Sequence, residues 1–447
     1  DRQLMLDALL SARSKLYISW AGRHVRDNSE QPPSVLVSQL RDYLRQGWQG
    51  EGSAGLSASE RGDLLLAQRT RQHPLQPFSR RYFEQASGLS TFAREWYGAH
   101  EAQAAQTLPV VAAFEPDPEV PLTLARLTDF LRHPARSFLR NRLQVRFEQD
   151  EELLEDDERF SVDGLTAYGL IQQLQQGVRT QLAHDAALDV GLQVQRQVQR
   201  LGRAGVLPLA GLGQREAEAL QAQATPSLRA WQQQMQLWPH AAPRERLLLH
   251  AGAVTLDDWM DGLQERAAPS SEAGYRRCWF ALEPRTLLNK KGELQAHKLL
   301  PIYVRSLALS STGSDTLMGV IARDTLVWVQ PLEPQAAKQR LQALMQLWLA
   351  GQNEPLPLPL KTAIAAGQDD LNAATQAYEG GYLLGGECED PSWARCYPDW
   401  EALTADLRFH ALAKQVYGPL HDWLAAQVQT EALPGMTNQE APAGEPA

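Results

Sequence analysis

The sequence has only three cysteines among its 447 residues, at positions 278, 388 and 396. Three scattered thiols cannot form a disulfide framework or a four-thiolate metal site, so the pattern indicates free thiols and fits a reducing cytoplasm. The chain also lacks a signal peptide and any run of about 18 apolar residues, the length that a membrane-spanning helix needs. We therefore expect no contact with a membrane.

Basic residues are also fewer than acidic residues. Lys and Arg total 43 against 53 Asp and Glu, a formal net charge of −10 at pH 7. This balance argues against a generally basic surface for nucleic acid, although it permits a local basic channel. The length predicts about two to three domains. Because the chain begins at Asp1 without methionine, we expect it to be the C-terminal piece of a longer protein.

Motifs of familiar chemistry are missing as well. The chain has no G-x-x-x-x-G-K-[ST] loop, no G-x-S-x-G elbow and no H-E-x-x-H pair. Its histidines at 133, 240, 250 and 297 lie apart, which favours structural or surface roles. Residues 148–158 (EQDEELLEDDE) contain eight carboxylates. Like-charge repulsion predicts a solvated loop there and not a metal site.

The most informative stretch is Leu122–Phe147. Thr123 suits a helix N-cap, apolar residues then recur at helical spacing, and His133-Pro134 predicts an interruption. A second short helix is expected to follow. The stretch therefore predicts two helical pieces with a buried apolar side.

Arginines at positions 132, 136 and 140 stand four apart in this stretch. Within regular helix they would share one face, where three guanidinium groups could contact a phosphate backbone. The alternative is a solvated face with paired arginines. A second segment combines cations with aromatic rings, as proteins that bind single-stranded nucleic acid do: Arg80, Arg81, Tyr82 and Phe83. The alternative is that its two rings only pack in the protein interior.

The remaining pattern predicts a helix-rich α/β protein. Residues 1–20 indicate a helix that runs into a strand at 16–20, and 34–44 indicate an amphipathic helix. Long helices are predicted over 163–201 and up to about Trp238. Strand-like runs follow at 247–254, 277–282 and 325–329, with amphipathic helices between them.

Four blocks of the chain, at 1–26, 73–97, 122–147 and 377–400, resemble in this order the RecC family, the gamma subunits of exodeoxyribonuclease V. The resemblance implies the end of an inactive superfamily-one helicase-like domain over 1–72 and a connecting segment over 73–121. It further implies an inactive RecB-type nuclease-like domain over 122–432 and a disordered tail over 433–447. The main boundary is expected in the proline-rich stretch 108–121.

The resemblance also bears on catalysis. The last helicase motif of the superfamily falls on Leu10-Ser11-Ala12, so Ser11 replaces the arginine that would stabilise charge on the γ-phosphate. RecB-type nucleases use an Asp and then an acid-x-Lys, and the corresponding residues are Asp261 and Glu283-Pro284-Arg285. Arg285 cannot take the place of the lysine because its geometry and proton affinity differ. The resemblance thus implies a chain that is inactive as helicase and as nuclease.

The function implied by the resemblance is that of a non-catalytic subunit that guides DNA in double-strand-break repair by homologous recombination. Such a subunit joins RecB-like and RecD-like partners in a heterotrimer, helps to split duplex ends, channels the separated strands and supports recognition of the Chi signal. ATP and Mg²⁺ would be used by the partners, with no cofactor in this chain. Two alternatives remain, a self-contained Mg²⁺-dependent nuclease using Asp261 and Glu283, and a pure protein-interaction scaffold.

Overall fold

The computed structural model describes residues 2–24, 29–99, 112–147, 160–266, 274–381 and 384–434. The chain divides into two compact units, residues 1–110 and residues 111–447. The predicted acidic loop at 148–158 lies outside the described residues. Of the tail predicted over 433–447, residues 435–447 also lie outside them, whereas Leu433 is buried in an apolar cluster.

The first unit is helical in its described part. It consists of helices α1 (Arg2–Ser11), α2 (Val35–Gly47) and α3 (Ala58–Arg69) and of 3₁₀ turns at Arg80–Tyr82, Gln85–Ser87 and Arg94–Ala99. Ser34 caps α2, and Ser57 and Glu60 form a reciprocal capping box on α3. Helices α2 and α3 pack closely at Gly62, where a Cβ atom would lie 2.1 Å from the carbonyl oxygen of Arg45.

The strand predicted at 16–20 is not formed. These residues have no regular secondary structure, and the described part of the first unit contains no strand with which they could form a ladder. A strand needs partner hydrogen bonds from elsewhere in the chain, which an alternating pattern cannot supply by itself. Leu4, Leu6 and Leu10 of α1 are exposed, with 70% of Leu4 and 76% of Leu10 accessible.

The second unit contains most of the regular structure. Its helices before the first strand are α4 (Leu124–Arg132), α5 (Pro134–Ser137), a π-helical turn (Phe138–Arg142), α6 (Gly164–His184), α7 (Val190–Arg203) and α8 (Ala210–Leu237). Its strands are β1 (His240–Ala241), β2 (Glu245–Ala251), β3 (Val254–Met260), β4 (Leu263–Glu265), β5 (Arg277–Leu282), β6 (Thr316–Ile321), β7 (Leu326–Val329), β8 (Gly380–Gly381), β9 (Leu384–Gly385) and β10 (Val428–Glu431).

The later helices of this unit alternate with its strands. They are α9 (Ala296–Ser311), α10 (Pro334–Gly351), α11 (Leu360–Gly367), α12 (Leu371–Glu379), a 3₁₀ turn (Glu387–Glu389), α13 (Pro391–Cys396), α14 (Trp400–Ala405) and α15 (Phe409–Gln427). The helices expected over 163–201 are α6 and α7. The prediction of helix up to about Trp238 is confirmed by α8.

A mixed six-stranded sheet organises the second unit. Its strand order is β1-β4-β5-β6-β7-β10, and all neighbouring pairs are antiparallel except β5 and β6. A parallel pair needs a crossover, which α9 supplies. Strand β6 was not among the predicted strands, although every one of its residues is buried. The hairpin of β2 and β3 forms a separate two-stranded sheet.

Alternating side chains divide the core between the two faces of the sheet. Met318 and Val320 of β6 belong to one apolar cluster with helices α4, α9, α10 and α15. Leu317 and Ile321 belong to a second cluster with α6, α7 and α8. Since neighbouring residues of a strand point to opposite faces, the sheet lies between two helical layers. The structure is therefore a helix-rich α/β fold, and none of its described helices is long and apolar enough to cross a membrane.

Candidate nucleic-acid interface

The stretch with the three candidate arginines folds as two helices with a break between them. The Thr123 hydroxyl accepts a hydrogen bond from the Arg126 N–H (3.2 Å) and caps α4. Helix α4 ends at Arg132, because His133 leaves the helical region (φ −155°, ψ 76°) and Pro134 begins α5. The predicted interruption at His133-Pro134 is confirmed.

His133 holds the two pieces together and connects them to a distant helix. Its Nδ1 atom accepts a hydrogen bond from the backbone N–H of Arg136 (3.1 Å), and its Nε2 atom lies 3.0 Å from Oδ1 of Asp390. Its ring stacks on Trp393 with ring centroids 4.8 Å apart. Burial lowers the pKa of His133 to about 4, despite the opposing charge of Asp390. The imidazole is therefore neutral at pH 7 and carries its proton on Nε2.

Asp390 lies between two basic groups. Its carboxylate contacts His133 and the guanidinium of Arg136, and its Oδ1 accepts the backbone N–H of Ser392 (2.9 Å) at the start of α13. Burial opposes ionisation of Asp390, but the interactions with His133 and Arg136 outweigh it and lower its pKa. In the sequence, Asp390-Pro391 marks only the start of α13, as a typical N-cap followed by proline at the first helical position, and it carries no signal for the contact with His133 and Arg136.

The three candidate arginines are thus in different situations. The Nη1 atom of Arg132 lies 3.8 Å from Oδ1 of Asp129, in an exposed ion pair of the kind that contributes little to stability. Arg136 is held by Asp390. Arg140 lies in the π-helical turn, is exposed, and has no ion-pair partner in the described part of the chain. One shared face was expected only within regular helix, and this condition is not met, because Arg132, Arg136 and Arg140 lie in α4, α5 and the π-helical turn, respectively.

In the first unit, the cation-aromatic segment borders a pocket. Arg80, Arg81 and Tyr82 form a 3₁₀ turn, and a pocket of about 380 Å³ lies beside Tyr82 and Phe83. The remaining lining residues are Glu84, Leu89, Ser90, Thr91 and Tyr97. Both predicted rings also pack: Phe83 meets Tyr97 edge to face at 5.8 Å. His73 stacks on Tyr82 at 5.9 Å, with its Nδ1 atom 3.2 Å from the phenol oxygen.

The residues that the resemblance relates to a nuclease site, Asp261 and Glu283, lie near one end of the large sheet. Glu283 follows β5, and both of its carboxylate oxygens accept hydrogen bonds from Arg285, at 2.8 Å from Nε and 3.1 Å from Nη2. This contact raises the pKa of Arg285, so the guanidinium stays charged. Pro284 lies just beyond β5, which ends at Leu282, and therefore interrupts no ladder.

Asp261 lies in the turn between β3 and β4 and is exposed. Its backbone carbonyl accepts a hydrogen bond from the Trp279 indole (3.1 Å). Within the described ranges, no group of three or more His, Cys, Asp or Glu side chains is placed to hold a metal ion. Ser11, the remaining candidate, is the last residue of α1, where its hydroxyl donates to the Ala8 carbonyl (2.8 Å).

The chain is similar to known proteins of one family. Residues 119–370 match the family model described as the RecC C-terminal domain. The RecBCD enzyme subunit RecC of Escherichia coli K12 is 30% identical over 437 residues, which cover 91% of this chain and 35% of that protein. The corresponding subunit of Mycobacterium tuberculosis H37Rv is 27% identical over 421 residues, 89% of this chain and 34% of that protein.

The chain spans about a third of the length of these two relatives. The family model nevertheless covers more than half of the chain, including α4, the break at Pro134 and the first five strands of the large sheet. The chain therefore belongs to the RecC family.

Proposed function

We propose that this chain is a non-catalytic part of a RecBCD-type helicase-nuclease, in which it guides DNA strands and contacts RecB-like and RecD-like subunits. In this role it acts on double-stranded ends during repair by homologous recombination, and it belongs to the degenerate helicase-like and nuclease-like parts of its subunit. Membership of the RecC family supports the assignment, since the relatives are named as subunits of the RecBCD enzyme.

The Glu283–Arg285 pair is the observation that carries the non-catalytic part of the proposal. A carboxylate that holds a catalytic Mg²⁺ must offer oxygen lone pairs to the metal. Here both oxygens of Glu283 are occupied by a guanidinium group that is only two residues away and remains charged. This internal cation already neutralises the charge of Glu283, which disfavours binding of a metal cation to the same carboxylate, and the acid-x-Lys pattern has no lysine.

Exposed arginine in a chain of negative net charge supports the guidance of DNA. Arg140 is free of carboxylates in the described residues, and Arg132 has only a weak exposed pair. Both can reach phosphate oxygens without first breaking a buried contact. Phosphate contacts position a strand but do not read its sequence, which suits a channel through which any sequence must pass.

The first test distinguishes a chain that only guides DNA from a chain that cleaves DNA itself. Asp261→Ala and Glu283→Ala are introduced singly into the assembled complex, and the rate of cleavage of linear duplex in Mg²⁺ is measured. We expect rates equal to those of the unmodified complex, because a partner subunit performs the cleavage. Loss of cleavage with either variant, in a complex that still assembles and unwinds DNA, would establish the self-contained nuclease instead.

The second test concerns the arginines. The double variant Arg132→Glu, Arg140→Glu leaves Arg136 in place, because Arg136 holds Asp390 and its loss would disturb the fold. The matched control reverses two exposed arginines of α7 and α8, Arg196 and Arg215, which have no ion-pair partner within the described ranges. Both variants change the net charge by the same amount.

Binding of a forked duplex to the assembled complex is measured as a function of salt. We expect the Arg132/Arg140 variant to bind more weakly and its salt slope to flatten by roughly one unit for each phosphate that is no longer neutralised. Discrimination between DNA sequences is expected to stay the same. If fork binding matches the control while association with a partner subunit fails, the segment is a protein interface and the scaffold alternative holds.

A further inference from the structure

Lysine is rare in this chain and unevenly placed. Arginine accounts for 36 of the 43 basic residues and lysine for only seven. Four of the seven lysines lie on the loop before α9, on α9 itself and on α11, which packs against α9: these are the lysines at 290, 291, 298 and 361. We call these four residues the lysine cluster.

The connection between β5 and α9 presents two lysines at its tip. A bridge between Leu288 and Leu294 closes this loop, and the Asn289 Oδ1 atom accepts the backbone N–H groups of Lys291 (2.8 Å) and Glu293 (3.0 Å). Lys290 and Lys291 are both exposed. The loop is therefore held by its own backbone contacts while its two ammonium groups point to solvent.

The other two lysines flank the beginning of α9. The Nζ atom of Lys298 donates to the Thr286 carbonyl (2.8 Å), which fixes this side chain beside the loop. Lys361 is exposed in the first turn of α11, which packs against α9. His297 lies between them. Burial and then the charges of Lys361, Lys298 and Arg285 lower the pKa of His297 to about 4, so these cations lie close to a neutral imidazole.

The carboxylates near the cluster are occupied by other groups. Glu283 accepts from Arg285, and Glu293 accepts from the Asn289 side chain (2.8 Å). Glu387 accepts the backbone N–H groups of Lys361 (3.1 Å) and Thr362 (2.9 Å), and so caps α11. In the described part of the chain, no carboxylate pairs with the ammonium groups of Lys290, Lys291 or Lys361.

The start of α9 adds backbone donors to this positive surface. The side chain of its N-cap residue, Gln295, gives no cap hydrogen bond, because its amide donates to the Leu288 carbonyl instead (3.0 Å). The first N–H groups of a long helix attract anions, especially phosphate, when they are not capped by a side chain. His297 lies in this first turn and has no hydrogen-bond partner among the described residues.

We propose that the lysine cluster, together with His297 and the start of α9, binds phosphodiester groups of a nucleic-acid strand. This inference rests on the proposed function and adds a second phosphate-contacting surface, separate in sequence from Arg132 and Arg140. A nucleic acid fits better than an acidic protein, because lysine is depleted in protein interfaces whereas its flexible point charge suits phosphate. Such contacts carry no base information, so the surface takes any sequence.

The test uses the assembled complex and a forked duplex with single-stranded tails. The cluster variant reverses the three exposed lysines, Lys290→Glu, Lys291→Glu and Lys361→Glu. The matched control reverses three exposed basic residues that have no ion-pair partner in the described part of the chain: Lys15→Glu, Lys338→Glu and Arg196→Glu. Both variants change the net charge equally, so their long-range electrostatic effects on DNA are similar. A difference in fork binding between them therefore reports contacts made by the lysine cluster itself.

We expect fork affinity at low salt to fall about tenfold or more with the cluster variant and by less than about threefold with the control. The slope of log K against log salt concentration should decrease in magnitude by about two units, because each of the three lost single-strand phosphate contacts contributes roughly 0.7. Affinity and slope equal to those of the control would overturn the inference. Loss of a partner subunit with unchanged fork binding would also overturn it, since the surface would then bind an acidic protein.

A second measurement needs no variant. Lysine acylation of the unmodified complex, read by mass spectrometry with and without forked DNA, should show protection of Lys290, Lys291 and Lys361 by DNA. Equal labelling of these three with and without DNA would refute the inference. If the Arg132/Arg140 variant weakens fork binding and the lysines are unprotected, this inference fails and the proposed function stands. If neither surface affects fork binding, both fail.

Discussion

Replacement of Tyr417 by Phe tests how the α4 segment is fixed in the core. The Tyr417 hydroxyl donates a hydrogen bond to the Leu131 carbonyl (3.0 Å), and each of these residues is only 1% exposed. The carbonyl lies in the last turn of α4, where backbone C=O groups have no N–H partner within the helix. Pro134, three residues later, has no N–H to offer. Tyr417 is therefore the donor that satisfies this buried oxygen.

The expected loss follows from desolvation. Phe has the shape of Tyr without the hydroxyl, so the substitution leaves the packing of α15 against α4 intact but leaves the Leu131 carbonyl buried and unsatisfied. A buried acceptor without a partner costs about 1–3 kcal/mol. We expect the free energy of unfolding to fall by this amount, measured by urea denaturation with tryptophan fluorescence. The slope of the transition should not change, because the surface exposed on unfolding is the same.

Tyr275→Phe is the matched control. Tyr275 is half-buried beside the other face of the sheet, and its hydroxyl makes no hydrogen bond in the described part of the chain. The same chemical change should therefore alter the free energy of unfolding by less than about 0.5 kcal/mol. If Tyr417→Phe costs no more than Tyr275→Phe, the hydrogen bond to Leu131 does not hold α4 in place, and the reasoning is refuted.

Three other substitutions test the fold around the candidate surfaces. His133→Asn keeps a cap acceptor but removes a ring whose pKa burial lowers from 6.5 to about 4. Between pH 6.5 and 4 the unfolded chain binds a proton at His133 that the folded chain does not bind. The contribution of His133 to the free energy of unfolding should therefore fall by up to about 3 kcal/mol over this range, and urea titrations of the variant should lack this part. Gly351→Ala places a Cβ 2.2 Å from the Phe130 ring and should cost about 1–3 kcal/mol in thermal unfolding, whereas Gly169→Ala, with nothing within 4 Å, should be neutral or stabilising. Glu387→Ala removes the cap of α11, so hydrogen exchange of its first amides should accelerate, and unchanged exchange would contradict the capping role.

Local chemistry made several elements predictable from the sequence. Pro134 has no N–H and excludes the preceding residue from helix, so the break after Arg132 could be expected without any neighbour. Short, strand-like apolar runs likewise indicated β2, β5 and β7. The strand expected at 16–20 failed, because a strand exists only where another strand offers its hydrogen bonds. β6 was missed, although it is buried on both faces.

The sequence by itself determined the cap at Thr123, the break at Pro134, the apolar runs of β2, β5 and β7, and the resemblance to the RecC family. Only the tertiary structure decided which charges are neutralised. It brings Asp390 to Arg136 across 254 positions, leaves Arg140 without a carboxylate in the described part, and places Lys361 near the start of α9. The physical reason is the sequence separation between the interacting residues. Caps and helix breaks depend on residues within about one helical turn, whereas the partner of a charge depends on which distant segments the packed core brings together.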